Sequence, residues 1–462
     1  MTSSITNKFK LGALALGATI AAAILTGPAA TTARAQDSGA LLNVLVKKHI
    51  LTDQEAEDLR AETAKESAAS VVETVSAGKS TTGLQFSGRL QMQYVNVITT
   101  ADTQTPGNAT YNRVSQMFLR RLYFGARANL GGNWAADFNY DFADTGSWDR
   151  AFINWTGKIP ALANAPFSFD IGLRKVNFAY DEFTSSGSLK AIERSAANRY
   201  FAEDANGRRL GTASYHIGLF GTYKPLAFAG KTTGFFAGAA VTNPQRQSAN
   251  SEVSQTFNNS TTNMVNKPAG WLNAGYSGKS GTVTYLLGAA AAYLPQMGGT
   301  GRASNPTANP GQNILQYNAY VDITAGKFNI VAEYLGAQVD KGVAAYGTTP
   351  AANATVSAFN IMPSYKITDK WEIVARYSRT DTGGHGIRLG DGVRSATNAF
   401  DSKNANVLDE YYLGANYYII GNDLKLQFGY IGGRTSGALP GATAPLNKET
   451  ANGFRTQLQV NF

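Results

Sequence analysis

The chain has 462 residues, no cysteine, a formal net charge of +9, 48 glycines, 22 tyrosines and only 16% charged residues. The lack of cysteine excludes a disulfide framework and every thiolate metal site. Setting aside Lys8, Lys10 and Arg34 in the first 35 residues leaves a charge of about +6, too small an excess to point to nucleic acid.

Residues 1–35 read as a signal peptide. Lys8 and Lys10 supply a basic start, Leu11 to Leu25 an uncharged apolar run, and Ala33-Arg34-Ala35 a small-x-small cleavage pattern, so the mature chain is expected to begin at Gln36. The alternative is a retained membrane anchor, but the apolar run falls short of the roughly 20 residues that a spanning helix needs. No later stretch is apolar for as long, so any membrane-spanning body must be made of strands.

From Ser38 to Ala77 the pattern is helical. Leu41, Leu42, Leu45 and Val46 mark a short amphipathic helix, and Thr52-Asp53-Gln54-Glu55 has the spacing of a capping box that opens a second one. Its apolar repeat is too broken for a firm coiled coil. Residues 36–80 are therefore expected to form a periplasmic helical segment, with a mobile tether as the alternative.

At Leu84 the period changes to two. Leu84, Phe86, Leu90, Met92 and Tyr94 alternate with polar neighbours. So do Trp134, Ala136, Phe138, Tyr140 and Phe142, and later Leu424, Leu426, Phe428 and Tyr430. Sixteen such segments begin near residues 84, 115, 133, 148, 166, 211, 232, 268, 282, 312, 327, 355, 370, 407, 422 and 452, with those at 232, 268 and 355 the weakest. Tight links such as Gly131-Gly132, Ala325-Gly326, Thr368-Asp369 and Gly421-Asn422 mostly alternate with long polar loops near 98–114, 176–210, 243–267, 295–311, 340–354, 381–406 and 434–450. Short turns at one rim and long loops at the other are the pattern of an outer-membrane barrel. The fold expected for residues 81–462 is thus all-β, a 16-stranded antiparallel transmembrane β-barrel. Its last strand, Phe454 to Phe462, would close onto Leu84 to Val97.

Charged residues on the lumen side are the candidates for function. Between Thr103 and Ala136 there are four arginines (Arg113, Arg120, Arg121 and Arg127) and no acid. Strict alternation sends Arg121, Gly125 and Arg127 inward and Phe118, Leu122, Phe124 and Ala126 to lipid. Arg120 would then face outward, at a cost of roughly 2–4 kcal/mol at mid-membrane. It must lie at a rim, in a subunit interface, or at a bulge that turns both arginines into the pore. The loop near 176–210 holds Phe178, Tyr180, Phe183, Leu189, Ile192, Tyr200 and Phe201, too much apolar surface for a solvated excursion. It is expected to fold into the barrel. Its many cations, among them Arg174, Lys175 and Arg194, face Asp181, Glu182, Glu193, Glu203 and Asp204. They could set selectivity as a charged ring, or only fix the loop through ion pairs.

Enzymatic readings are thin. Ser214 and His216 share a strand face and could suggest a barrel lipase, without a motif partner. Gly383-Gly384-His385-Gly386 lacks the strand-then-helix context of a phosphate loop. Carboxylates in 381–406 lack the spacing of a calcium site. No catalytic residue, metal or cofactor is expected.

Several segments together resemble the phosphate-selective porin O/P family. Leu84-Gln85-Phe86-Ser87-Gly88-Arg89-Leu90-Gln91 is similar to its opening strand, and Phe118-Leu119-Arg120-Arg121-Leu122-Tyr123 with Trp134 to Phe142 to its second and third. Thr184-Ser185-Ser186 followed by Ala191-Ile192-Glu193-Arg194 looks like the family's inward third loop, and Gly453 to Phe462 like its last strand. The resemblance implies a homotrimeric outer-membrane porin, with Phe462 as the terminal aromatic read during insertion. It matches Arg120, Arg121 and Arg194 to the central anion site and Arg89 to a first-strand arginine. Arg127, Arg174 and Lys175 are lesser candidates. Where phosphate-selective members carry lysines in the third loop, this chain has Glu182 and Gly187, so weak anion preference is expected rather than strict phosphate selectivity. Small hydrophilic solutes, anions by this charge, are the expected partners, with outer-membrane lipid around the barrel. The rival readings are a structural protein tethering the membrane to the cell wall through 38–77, and a substrate-specific sugar or organic-acid channel.

Overall fold

A computed structural model of the chain describes residues 81–101, 110–143, 146–159, 165–203, 209–223, 234–243, 268–297, 312–340, 342, 352–396, 405–439 and 448–462. The expected signal peptide and the helical segment 36–80 lie outside these residues.

Sixteen strands form a closed antiparallel barrel in which each pairs with its sequence neighbours and the last pairs with the first. They are β1 (Gly83–Ala101), β2 (Thr110–Gly131), β3 (Trp134–Asp141), β4 (Ser147–Ile159), β5 (Ala165–Lys175), β6 (Tyr215–Tyr223), β7 (Gly234–Thr242) and β8 (Ala269–Ser280). The second half comprises β9 (Val283–Met297), β10 (Gln312–Ala325), β11 (Phe328–Val339), β12 (Ala354–Lys366), β13 (Trp371–Asp381), β14 (Ala405–Ile420), β15 (Leu424–Ala438) and β16 (Glu449–Asn461). Every segment expected from the period-two pattern is present, its start displaced by a few residues at most. Closure runs from Arg89↔Asn461 to Ala101↔Glu449, and Gly88 and Phe462 exchange backbone hydrogen bonds of 2.7 and 3.1 Å. No peptide edge is left open to the membrane, which is why a barrel can span it.

The outward face carries Phe86, Met92, Leu119, Leu219, Leu272 and Leu413, all exposed and apolar as lipid contact requires. The inward face is polar near the β1–β16 seam, where Gln91, Gln93, Gln457 and Gln459 are buried. Other inward positions are apolar. Val95, Val97, Leu335, Val356 and Leu408 belong to one buried cluster with loop residues Phe178, Tyr200 and Phe201. Part of the lumen is therefore packed like a protein core.

Two register shifts decide which charges enter the lumen. In the β1–β2 ladder Gln91 pairs with Arg121 and Met92 with Leu119, leaving Arg120 as an extra residue. Leu119 faces outward, Arg120 and Arg121 both turn inward, and the alternation N-terminal to them is inverted. Phe118, expected on the lipid face, accordingly packs against the interior cluster. In the β3–β4 ladder Asn139 pairs with Arg150 and Tyr140 with Trp148, so Asp149 is the extra residue beside Arg150.

Between β5 and β6 the chain folds inward and forms two short helices, α1 (Tyr180–Phe183) and α2 (Ala196–Ala202), the latter capped by Ser195 Oγ accepting from the Asn198 amide. A third, α3 (Leu389–Gly392), lies between β13 and β14. Arg199 reaches from α2 to donate to the Gly392 carbonyl at 2.5 Å, joining the two loops.

Deleting Arg120 removes the extra residue and inverts the faces of the preceding part of β2, whereas Arg120→Ala keeps the bulge. The deletion is expected to lower the temperature at which the folded band is lost on semi-native gels far more than the substitution does. Equal shifts for the two variants would contradict the bulge as the determinant.

Candidate functional site

Three carboxylates of the inward loop, whose described residues are 176–203 and 209–214, gather most of the cations around it. Glu193 accepts from Arg120 Nε at 2.7 Å and Nη2 at 3.2 Å, from Arg394 Nε at 3.0 Å and from Gln93 Nε2 at 3.0 Å, with Arg455 Nη1 at 3.9 Å. Glu182 pairs with Lys175 at 2.8 Å and Arg194 at 2.9 Å and accepts from Ser214 Oγ at 2.7 Å. Glu203 gathers Arg199 at 3.1 Å, Arg209 at 2.9 Å and Arg394. Burial alone would raise these carboxyls. The guanidinium of Arg194 and the Lys175 ammonium instead hold Glu182 down at about 2, and Arg120 and Arg394 hold Glu193 well below the ordinary carboxylate range.

Amide side chains of the wall, with Lys425, satisfy several of the loop's carbonyls. Gln91 donates to the Ser186 carbonyl at 3.1 Å, Gln459 to Gly187 at 2.9 Å, Lys425 to Gly187 at 3.0 Å and Leu189 at 2.9 Å, and Asn416 and Gln427 to Lys190 at 2.9 and 3.1 Å. These amides also bond one another across the strands. Gln93 donates to Gln457, Gln457 to Gln427, each at 2.7 Å, and Gln427 to Asn416 at 3.0 Å. A Cβ at Gly187 would stand 2.6 Å from Arg89 Nη2, so a side chain there fits only if that guanidinium shifts. A lysine at this position could not be added without displacing Arg89.

Beside the docked loop a cavity of about 660 Å³ remains, bordered by β1 to β6 and by loop residues Phe183 to Ser186. Four cations line it: Arg89, Arg150, Arg174 and Lys175. Asp149 is the one carboxylate among the lining residues. Arg89 donates to Asn461 at 2.7 Å, Ser186 at 2.6 Å and Ser185 at 3.1 Å, and its guanidinium lies 5.6 Å from the Tyr123 ring centre. Lys175 stands 5.0 Å over Tyr215, and Arg174 lies 4.9 Å over Phe220 while pairing with Asp170. Arg150 pairs with Asp137 at 2.5 Å and Asp149 at 3.5 Å, yet its side chain keeps 36% of its exposure. Cation–π contacts of this kind hold a charge in place without cancelling it. A second space, about 730 Å³, lies among Ala239, Leu272, Ala274, Ala291 and Tyr317, of which Leu272 and Tyr317 are exposed on the outer wall, and it is no part of the lumen route.

Of the seven cations singled out from the sequence, only Arg89, Arg174 and Lys175 border this cavity. Arg120 is bound to Glu193, and Arg121 is buried with its Nη1 donating to Gln91 at 2.7 Å. Arg194 donates to the carbonyls of Asp181, Glu182 and Thr184 as well as pairing with Glu182. Arg127 pairs with Asp137 at 3.3 Å and donates to Asn154 at 3.0 Å. The anion-site match of Arg120, Arg121 and Arg194 thus falls on side chains engaged with the wall and the loop. Arg150 was missed. Its signal was the adjacent pair Asp149-Arg150, which breaks alternation as Arg120-Arg121 does.

The Ser214–His216 pairing does not form. Ser214 donates to Glu182, and the His216 ring nitrogens lie 2.9 and 2.8 Å from the carbonyls of Asn243 and Thr212. Among the described residues no group of three or more acidic or histidine side chains could hold a metal ion.

A closed barrel with an apolar belt, an inward loop and a charged passage defines a channel protein of the outer membrane. A family model for phosphate-selective porin O and P matches residues 94–462, and the chain belongs to that family. No curated protein sequence matches it. Among solved structures, the outer membrane channel DcaP of Acinetobacter baumannii covers 83% of this chain and 98% of its own, at 11% identity and a TM-score of 0.49. The anion-selective porin from Comamonas acidovorans covers 82% and 99%, at 12% identity and the same TM-score.

Glu193→Gln leaves Arg120, Arg394 and Arg455 without their shared carboxylate, a loss of about 3–5 kcal/mol for a buried pair. Noisier and larger single-channel conductance is expected, with a lower unfolding temperature. A separate expectation concerns acid. Because Glu182 is depressed in the folded state, its contribution is complete above about 4.5 and is lost as pH falls through about 2. The part of any conductance change that depends on Glu182 should appear only below about pH 4, as planar-bilayer titrations of the native pore and of Glu182→Gln would show by their difference.

Proposed function

We propose that the protein is a passive diffusion channel for small hydrophilic solutes with a modest preference for anions. The observation that carries this reading is the cavity border, where four cations meet a single lining carboxylate. Arg89, Arg150, Arg174 and Lys175 would guide the solute, while Arg120, Arg121 and Arg194 keep the inward loop in place and so set the width of the route. A ring of charge at a constriction biases which ions enter. The preference is modest because Asp137, Asp170 and Glu182 stand directly behind three of the four cations. Phosphate passes as one small anion among others in this reading. Export through a cleaved segment 1–35, a periplasmic helical segment 36–80 and assembly as a homotrimer complete the proposal.

The test is the reversal potential across a planar bilayer in a KCl gradient. The native pore is expected to favour chloride, and Arg150→Ala combined with Arg174→Ala to move the reversal potential toward the cation side. A cation-selective native pore would overturn the proposal, as would a reversal potential indifferent to both substitutions.

A further inference from the structure

We infer that the passage favours organic carboxylates with an aromatic body over small inorganic anions, a step that rests on the anion-channel reading above. The argument begins with how the cations are used. All three donor nitrogens of Arg89 are engaged by Asn461, Ser186 and Ser185. Those of Arg174 serve Lys175 O, Asp170 and Asn177. Arg150, with 36% of its side chain exposed against 22% and 21% for Arg174 and Lys175, offers the most open edge of these three. A compact polyanion needs several convergent, uncommitted donors to replace the water it sheds. At this border three of the four cations are already paired with Asp137, Asp170 and Glu182, whose negative charge opposes a polyanion more than a monocarboxylate. A carboxylate needs one guanidinium edge, which it meets with two parallel hydrogen bonds.

The rest of the border suits the rest of such a molecule. Tyr123, Phe152, Phe183 and Tyr215 all line the same cavity and are partly exposed. Phe152 follows Arg150 by two residues in β4 and so shares its inward parity, which puts ring and guanidinium side by side along the strand on the lumen face. Phe183 stands on the loop side, edge-on to Tyr180 and Tyr320 at 5.3 and 5.7 Å, which fixes its plane. A volume of about 660 Å³ lies within the roughly 300–1,000 Å³ typical of small-molecule sites. One charged end on Arg150 and a flat body between Phe152 and Phe183 is the arrangement that the geometry points to.

The experiment uses the native full-length pore in planar bilayers at pH 7 and measures block of chloride current by benzoate, acetate and inorganic phosphate, with pore-free bilayers as control. Benzoate is expected to block at about tenfold lower concentration than acetate or phosphate, the equivalent of roughly 1.4 kcal/mol from ring contact. Phe152→Leu and Phe183→Leu should each reduce that difference while leaving block by acetate unchanged. Comparing probes on the native pore keeps the test valid if either variant folds poorly. An anion-selective pore that responds equally to benzoate and acetate, or most strongly to phosphate, overturns this inference and leaves the channel reading standing. A cation-selective pore overturns both.

Discussion

A peptide segment folded into a membrane barrel must find partners for every backbone N–H and C=O, because neither lipid nor a packed wall supplies water. The loop 176–214 meets that constraint by borrowing side chains from strands far away in sequence. Gln91, Asn416 and Gln459 each donate to one of its carbonyls, and Lys425 and Gln427 each to two. Arg376 adds a bond of 2.7 Å to the Glu193 carbonyl and pairs with Glu410 at 2.6 Å, while Glu410 accepts from the Ala196 amide at 2.7 Å. Charge and peptide satisfaction are thus solved by one connected network, in which low local dielectric makes each satisfied bond count for more and each lost one cost more.

This arrangement changes what the lumen charges mean. In an empty pore an inward arginine is available to solute by default. Here the loop competes for it, and Arg120, Arg121 and Arg194 are taken by Glu193, Gln91 and Glu182. Beside the cavity, where the loop leaves the wall, Arg150 and Arg174 keep part of their exposure. In the proposed channel, selectivity and loop docking would be two uses of one set of side chains, separated by position around the barrel.

The barrel itself was readable because each strand has to present one face to lipid, which imposes period two regardless of what the other face does. The loop's entry into the lumen was readable from its apolar content, since Phe178, Tyr200 and Phe201 could not remain in water. The site was readable only in part. Gln457 and Gln459 look like any wetted wall position, and nothing local says that Gln459 meets Gly187 across 272 residues or Arg455 meets Gln93 across 362. The position of Phe118 was misread because one extra residue inverts a strand's faces without leaving a compositional trace beyond two adjacent arginines.

That extra residue has a consequence for comparing this chain with its relatives. A strand of regular pairing can offer the lumen only every second position, so neighbouring charges cannot both enter it. One inserted amino acid lifts the restriction at a single level of the barrel and leaves the strand count and the belt intact. Of the register shifts among the described strands, those at Arg120-Arg121 and at Asp149-Arg150 bring adjacent charged residues to the lumen in this way. An alignment gap of one in such a strand is then more than a length change. It re-labels which residues of the strand touch solute and which touch lipid, and column-by-column inheritance of pore residues fails on the N-terminal side of it.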